Sequence, residues 1–259
     1  EEFFDIGFTI IVKFFDDGEM AEISSGFDRL LEIADEISGA PDFDPDESHN
    51  VEYDGSYFDF RGVDSRERKF GIRKIAWCGG SVPALLRYGR HPRLLRMASQ
   101  LLDSVEMNHL INQAHLKMPG TNVAFNWHQD SVNRGFHKGY FADVNGRGSF
   151  VQTGLAVDPV SVESGPLSFI PNSTGQGHLS HNETGHLPPE QVDESRQVSP
   201  LPNPGDLLVW HPYAIHGSKP NVSKNPRRIL INGYAYPGAT QRRYTGSEKG
   251  AGELIRAPA

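Results

Sequence analysis

The stretch NHLINQAHLKM, residues 108–118, marks a change in the sequence from a helical to an extended pattern. Side chains alternate between the two faces of a strand, so Leu110 and Ala114 share one face here. Gln113 and His115 then lie on the opposite face. This separation of apolar from polar side chains at a period of two predicts a half-buried β-strand.

The pattern before this strand is helical. In HPRLLRMASQLLDSV, residues 91–105, apolar side chains recur along one face of a helix, and Pro92 suits the first helical turn. The same spacing predicts a second helix over residues 27–37. Residues 40–60 are rich in Asp, Pro, Gly and aromatic side chains, which predicts a long loop or lid.

After residue 118, short strand patterns alternate with turn signals such as Pro-Gly and Asn-Gly. Five more strands are predicted, over residues 123–128, 149–157, 166–170, 206–210 and 229–236. Residues 172–203 form a polar insertion without a clear period. Helices followed by a run of short strands predict an α+β fold with an antiparallel barrel or jelly roll over residues 108–240. The length fits one domain over residues 1–259.

Composition restricts the classes of function. Hydrophobic residues make up 37% of the chain and charged residues 22%, which is typical of a globular protein. A net charge of −8 without a Lys/Arg-rich face disfavours nucleic-acid binding, and the apolar runs are too short to span a membrane. Cys78 is the one cysteine, so the chain can form no internal disulfide, which favours a reducing, cytoplasmic compartment. No pattern indicates an oligomeric state.

The motif WHQD, residues 127–130, places His128 and Asp130 two positions apart. In an extended segment both side chains point to the same face, so both can reach one metal ion. Far downstream, His216 ends the segment DLLVWHPYAIH and is a candidate third ligand. Two histidines and one carboxylate form the facial triad of non-haem Fe(II) oxygenases, whose open coordination positions accept a co-substrate and O2.

Other interpretations of these residues stay open at this point. The chain has eleven histidines, so an H-x-D motif followed by a distant histidine can arise by chance. A non-redox metal-binding barrel of cupin type would keep the same three ligands, and a binding module could use the barrel without a metal. A second histidine cluster lies in the polar insertion, without a carboxylate at strand spacing: His178, His181 and His186.

Six pieces of the sequence occur in an order that resembles the phytanoyl-CoA dioxygenase family of Fe(II)/2-oxoglutarate oxygenases, over roughly residues 80–240. They are HPRLLRMASQLL, INQAHLKMPG, WHQD, SGPLSFIPNS, PGDLLVWHP and HGSKPNVSKNPRR. The resemblance implies a double-stranded β-helix, a cupin-like jelly roll, with flanking N-terminal helices. The chain departs from the family pattern twice, because residues 171–174 lack a histidine and Gly154 stands where some members carry tryptophan. Both departures concern the pocket lining and leave the substrate open.

The resemblance also implies a set of site residues. Fe(II) is the implied metal, held by His128, Asp130 and His216, and 2-oxoglutarate and O2 are the implied co-substrates. Arg227 is implied to grip the distal carboxylate of 2-oxoglutarate, because a guanidinium fork matches a carboxylate. Its neighbour Arg228 faces the other way if this segment is a strand. Four polar residues are further candidates for co-substrate binding, although Thr153 and Asn126 could equally be wall residues of the barrel: Gln113, Thr153, Asn126 and Ser218.

The reaction implied by the resemblance is hydroxylation of an unactivated C–H bond in an amino-acid-like compound or a secondary metabolite. 2-Oxoglutarate would become succinate and CO2, and desaturation, epoxidation and endoperoxide formation are alternatives on the same scaffold. Asp130 argues against halogenation, because halogenating relatives carry a small residue in its place. The segments 40–60 and 172–203 suit lids over a small molecule. Arg134 and His137 could reach an anionic substrate group, but solvated positions are favoured for both.

Overall fold

The computed structural model describes residues 2–44, 47, 49–61, 71–244 and 251–259. Its α-helices are α1 (Glu2–Ile6), α2 (Asp17–Ser38), α3 (Pro83–Gly89), α4 (Pro92–Leu102) and α5 (Asp130–Arg134). Its strands are β1 (Phe8–Ile11), β2 (His49–Tyr53), β3 (Ser56–Phe60), β4 (Ile72–Ala76), β5 (Glu106–Lys117), β6 (Phe125–His128), β7 (Phe150–Ala156), β8 (Ser168–Ile170), β9 (Leu207–Trp210), β10 (Ile215–Ser218), β11 (Arg227–Ala235) and β12 (Glu253–Arg256). Short 3-10 helices lie at Phe136–Lys138, Val162–Ser164, Thr174–Gln176, Pro189–Gln191 and Glu194–Arg196.

Two antiparallel sheets form the core of the described part of the chain. The larger sheet has the strand order β1-β9-β7-β11-β5-β4-β3-β2, and β12 pairs with the start of β5. The smaller sheet has the order β6-β10-β8. Phe150, Trp210 and Ile231 of the larger sheet form one apolar cluster with Phe169 of the smaller sheet. This packing of two antiparallel sheets confirms the predicted α+β jelly-roll fold.

Helices cover the other face of the larger sheet. A capping box starts α2, in which the side chains of Asp16 and Glu19 each accept a hydrogen bond from the backbone N–H of the other residue. The helix begins at Asp17 rather than at the predicted residue 27, and its buried face packs on the sheet in a second apolar cluster. Gly26 is a poor helix former, but it admits α3, since a Cβ there would lie 2.9 Å from Leu85.

The prediction of a loop or lid over residues 40–60 was wrong for its second half. Strands β2 and β3 form a hairpin there, with Val51 opposite Phe58. The turn is Asp54-Gly55, and both residues have a positive φ, which matches the right-handed twist of the flanking strands. The Asp-Gly pair was therefore the sequence signal for this hairpin. Within the same segment, residues 45, 46 and 48 lie outside the described residues.

The predicted strands between residues 108 and 236 are confirmed, with ends that shift by at most two residues. Strand β10 was not predicted, because four residues that include a Gly and a Ser carry little strand pattern. The segment 172–203 contains no strand, but Val198 bridges to Phe169 at the edge of β8. No helix in the described ranges is both long enough and apolar enough to cross a membrane. The single-domain organisation stays a prediction.

We predict that Phe27→Ala lowers the free energy of unfolding by about 3–5 kcal/mol, because it empties a fully buried site between α2 and the larger sheet. Urea denaturation followed by circular dichroism measures the change. The matched control is Val222→Ala, where the side chain is 77% exposed and the expected change is within about 0.5 kcal/mol. A loss below about 1 kcal/mol for Phe27→Ala would contradict the packing of α2 described above.

Candidate active site

The three residues of the predicted triad lie together between the two sheets. His128 ends β6 and pairs across the smaller sheet with His216 of β10, and their ring centroids are 4.2 Å apart. Asp130 is the first residue of α5 rather than part of a strand. Gln129 is still extended, so Asp130 projects to the same side as His128. The candidate ligand atoms of the three residues all lie within 4.8 Å of one another.

Hydrogen bonds to the backbone orient both imidazoles in the same way. His128 Nδ1 lies 2.7 Å from the carbonyl oxygen of Asn126, and His216 Nδ1 lies 2.9 Å from that of Ala214. A carbonyl oxygen can only accept, so in each ring Nδ1 carries the proton and Nε2 keeps a free lone pair. Histidine ligands of metal ions are held by this kind of second hydrogen bond.

Electrostatics favour a neutral imidazole beside a charged carboxylate. Burial, reinforced by His216, lowers the pKa of His128 to about 3. Burial opposes ionisation of Asp130, but the neighbouring imidazoles, Arg134 and a hydrogen bond from Trp210 outweigh it and lower the pKa of Asp130. Metal ions bind these deprotonated forms, so the donor set fits a divalent metal such as Fe(II).

The residues at the two departures from the family pattern, Gly154 and Ser173, lie next to residues that position the triad. Gly154 lets the Trp210 ring lie against β7, since a Cβ at residue 154 would be 3.1 Å from that ring. The Trp210 indole N–H donates to Asp130 Oδ2 at 2.8 Å. Ser173 Oγ accepts a hydrogen bond from the backbone N–H of Ile215, the residue before His216, at 2.9 Å.

The triad faces a cavity of about 530 Å³, and four of the five predicted co-substrate residues line it. They are Gln113, Asn126, Ser218 and Arg227. Thr153 does not line it, because it points to the helix-covered face of β7 and its hydroxyl donates to the Asn232 carbonyl at 3.2 Å. Its neighbour Gln152 lines the cavity instead, since adjacent residues of a strand face opposite ways. The sequence prediction of Thr153 was therefore one residue out of phase with the cavity.

Strand alternation also separates the two adjacent arginines. Arg227 is buried and lines the cavity, where its Nη2 donates to the Gly165 carbonyl at 2.7 Å. Its Nε has no hydrogen-bond partner among the described residues. Arg228 points to the opposite face, where it forms a two-point ion pair with Asp158 and contacts Asp28 at 2.7 Å. The geometry favours Arg227 for a carboxylate in the cavity.

Lys117 is a buried side chain beside two predicted site residues, Arg227 and Ser218, and the sequence did not point to it. It lies opposite Arg227 in the β5–β11 pair, is almost fully buried, and donates to Ser218 Oγ at 2.7 Å. It also donates to the carbonyls of Gly165 and Lys219. Burial, followed by the charge of Arg227, lowers the pKa of Lys117 to about 6. Its place on the same strand face as Gln113 was the signal that could have identified it.

Two residues of the second histidine cluster form hydrogen bonds that join the polar insertion to the start of α5. His178 Nδ1 lies 2.7 Å from Ser131 Oγ, and His181 Nε2 accepts the backbone N–H of Gln129 at 3.2 Å. The triad is the one set of three or more His, Cys, Asp or Glu side chains close enough for a metal ion among the described residues. The insertion therefore packs over α5.

The solvated position predicted for Arg134 was wrong, whereas that of His137 is confirmed. His137 is exposed on the 3-10 helix after α5. Arg134 is the last residue of α5, is only 7% exposed, and lines the cavity. The sequence contains little indication that Arg134 is buried, because its polar neighbours are typical of a surface segment.

Comparisons with known proteins agree with this fold. Residues 4–229 match the family model of phytanoyl-CoA dioxygenase (PhyH). The chain is 37% identical over 81 residues to methylphosphonate hydroxylase of Gimesia maris, a match covering 31% of this chain and 31% of that protein. It is 26% identical over 190 residues to L-proline trans-4-hydroxylase of Streptomyces griseoviridis, a match covering 65% of this chain and 69% of that protein. The solved structure of EctD from S. alaskensis shares the fold, with a TM-score of 0.69, 21% identity, and coverage of 100% of this chain and 83% of that one.

The fold, the site and the family match together define a non-haem Fe(II)- and 2-oxoglutarate-dependent dioxygenase. The chain belongs to the phytanoyl-CoA dioxygenase family, as the six sequence pieces indicated. The match to the Gimesia protein spans about a third of that protein, and EctD at 21% identity shows the fold alone.

We predict that His128→Ala, Asp130→Ala and His216→Ala each abolish stoichiometric Fe(II) binding while the protein stays folded. Each change removes one of three donors, and among the described residues these three are the one set of His, Cys, Asp or Glu side chains close enough to share an ion. Iron content after anaerobic reconstitution and circular dichroism measure the two effects. His137→Ala is the control, because this exposed histidine lies outside the cavity lining. A triad variant that keeps both iron and turnover would remove its residue from the ligand set.

Proposed function

We propose that the protein hydroxylates an unactivated C–H bond of a small molecule. One oxygen atom of O2 enters the C–H bond as a hydroxyl group, and the other enters succinate as 2-oxoglutarate loses CO2. The observation that carries the proposal is the three-donor set at the wall of a cavity that also contains the buried cation of Arg227. Three protein donors leave coordination positions for both co-substrates. Two curated relatives are named as hydroxylases.

The metal site divides the work between iron and protein. His128 and His216 would hold Fe(II) through Nε2, and Asp130 through a carboxylate oxygen. Bound Fe(II) supplies the activation of O2 that C–H oxidation requires. The chain contributes position, because the ring orientations are fixed by the Asn126 and Ala214 carbonyls.

Arg227 would bind the distal carboxylate of 2-oxoglutarate. Burial lowers the pKa of Arg227 to about 10, which reflects the cost of a cation without a carboxylate partner on this side of the strand. An incoming carboxylate removes that cost by pairing with the guanidinium, including its free Nε edge. A non-redox cupin-type barrel binds no 2-oxoglutarate and would not need a buried arginine at this position.

Polar neighbours would complete the co-substrate subsite. Ser218 Oγ accepts from Lys117 Nζ, so its own hydroxyl hydrogen stays available for a carboxylate oxygen. Gln113 Oε1 lies 3.1 Å from His115 Nε2, which leaves the Gln113 amide N–H groups free to donate into the cavity. Asn126 sits at the exposed rim of the cavity. Thr153 takes no part in this proposal.

The substrate would be a compact molecule of the kind that the named relatives oxidise. Methylphosphonate and L-proline, which appear in the names of those relatives, are both small and both carry an anionic group. A cavity of about 530 Å³ has room for 2-oxoglutarate and a molecule of that size. A reducing, cytoplasmic location is consistent with Cys78, which is buried and unpaired.

Anaerobic addition of Fe(II) and 2-oxoglutarate to the purified protein tests the metal and co-substrate binding on which the proposed function depends. The expected result is a visible charge-transfer band that requires both additions and is absent in Asp130→Ala. Failure of the band to form with wild type at saturating concentrations of both would overturn the proposal. The same band reports the integrity of the co-substrate site in every variant below.

We predict that Arg227→Ala raises the 2-oxoglutarate concentration required for half-maximal band formation by about ten- to a hundredfold, since a buried charge-assisted pair is lost. Arg228→Ala is the matched control, because its side chain faces Asp158 and Asp28 on the other side of β11. Thermal unfolding of both variants separates binding from stability. Reversed effects of the two substitutions would mean that Arg228 is the co-substrate arginine.

A further inference from the structure

Arg134 has an unusual environment for a cation. The residue is only 7% exposed, and its Nε and Nη1 have no hydrogen-bond partner among the residues that the structure describes. Burial of a cation whose N–H donors are unsatisfied is costly, and proteins normally satisfy such donors or use them to bind a ligand. The mechanism proposed above does not use this residue.

Two aromatic rings hold the Arg134 guanidinium in place. The rings of Phe150 and Tyr244 each have their centroid 5.2 Å from the guanidinium carbon. Stacking on ring faces satisfies the flat faces of a guanidinium but leaves the N–H groups at its edge free. The Tyr244 hydroxyl is also buried without a hydrogen-bond partner in the described part of the chain. The guanidinium edge and this hydroxyl therefore form a set of unused donors beside the cavity.

The charge balance of the cavity favours an anionic occupant. Asp130 is the one acidic residue among the described residues that line it, and it belongs to the triad. The basic residues of the lining are Arg73, Lys74, Arg134, Arg227, Arg242 and Arg243. Arg73 lies 3.7 Å from Asp59, and Arg227 is assigned to 2-oxoglutarate. This excess of positive charge stands out in a chain with a net charge of −8.

We propose that Arg134 binds the anionic group of the substrate, a carboxylate or a phosphonate, with the Tyr244 hydroxyl as a second donor. This inference rests on the proposed function and adds the substrate class to it. Both groups present oxygen pairs that a guanidinium edge can bind at two points. The site is distinct from that of 2-oxoglutarate, which Arg227 on β11 would hold.

Helix α5 sets the distance between this anion site and the metal. Asp130 and Arg134 are its first and last residues, four positions apart, so both lie on the same side of one helical turn. The rise over four residues is about 6 Å. The oxidised carbon would therefore lie only a few bonds from the anionic group. The substrate class is a compact carboxylate or phosphonate rather than a long chain with a remote charge.

Calorimetric titration of the Fe(II) enzyme, kept anaerobic with saturating 2-oxoglutarate, tests the anion site. Methylphosphonate and acetate are the probes, and acetamide is the neutral counterpart of acetate. Saturating 2-oxoglutarate keeps the Arg227 subsite occupied. The expected result is saturable binding of both anions, with acetamide weaker by about tenfold or more, as for a lost charged hydrogen bond.

Variants locate the binding. Arg134→Gln should weaken both anions by about tenfold or more, whereas Lys138→Gln, which removes one positive charge from an exposed position nearby, should leave them unchanged. Arg134→Lys should fall between wild type and Arg134→Gln, because it keeps the charge without the planar edge. Tyr244→Phe should weaken binding by about fivefold, the effect of one hydroxyl donor. Anions bound directly to the metal would bind equally well to Arg134→Gln.

The outcomes separate this inference from the proposed function. Equal binding of acetate and acetamide, no saturable anion binding, or unchanged binding by Arg134→Gln would each overturn the anion site, even when the charge-transfer band forms. Absence of the band in wild type would overturn the proposed function instead. If Arg134→Gln alone loses the band through misfolding, Arg134→Lys and Tyr244→Phe decide, and wild-type affinity in both would contradict the assignment.

Discussion

The pairing of β6 with β10 places two imidazoles opposite each other, and the rest of the site is arranged around that pair. Because His128 and His216 are cross-strand partners, their rings are close before any metal binds. Each ring uses one nitrogen to donate a hydrogen bond to the carbonyl two residues earlier in the chain. The strand geometry thus selects the tautomer as well as the position. A site formed in this way needs little reorganisation when a metal binds, which lowers the entropic cost of assembling it.

Alternation along the strands of the larger sheet divides the remaining polar residues between two environments. On β11, Arg227 faces the cavity and Arg228 faces α2, where Asp28 and Asp158 balance its charge. On β7, Gln152 faces the cavity, and Thr153 lies among apolar residues of the opposite face. A shift of one residue in β11 would move Arg228 away from Asp158 and Asp28 and into the cavity, and a shift of one residue in β7 would exchange Gln152 with Thr153. The pairing register is therefore under strong constraint from both faces at once.

The sequence identified the features that follow from regular periodicity or from a family motif. It located α4, six strands of the two sheets, the three residues of the triad and the parity that separates Arg227 from Arg228. It missed features that depend on contacts between distant segments. The phase of β7 relative to the cavity, which exchanged Thr153 for Gln152, is set by its neighbours β9 and β11. The burial of Arg134 depends on rings that come from Phe150 and Tyr244, and no local pattern records such a meeting.

The first strand of the larger sheet also has a consequence for how this protein can be handled. Strand β1 pairs with β9 along its whole length and forms one edge of the sheet. Without it, β9 would present a row of unpaired N–H and C=O groups beside an apolar run, which is a template for addition of another chain. Trp210, whose indole N–H donates to Asp130, is the last residue of β9. A fusion tag or truncation that displaces residues 8–11 would therefore promote aggregation and loosen the carboxylate ligand at the same time.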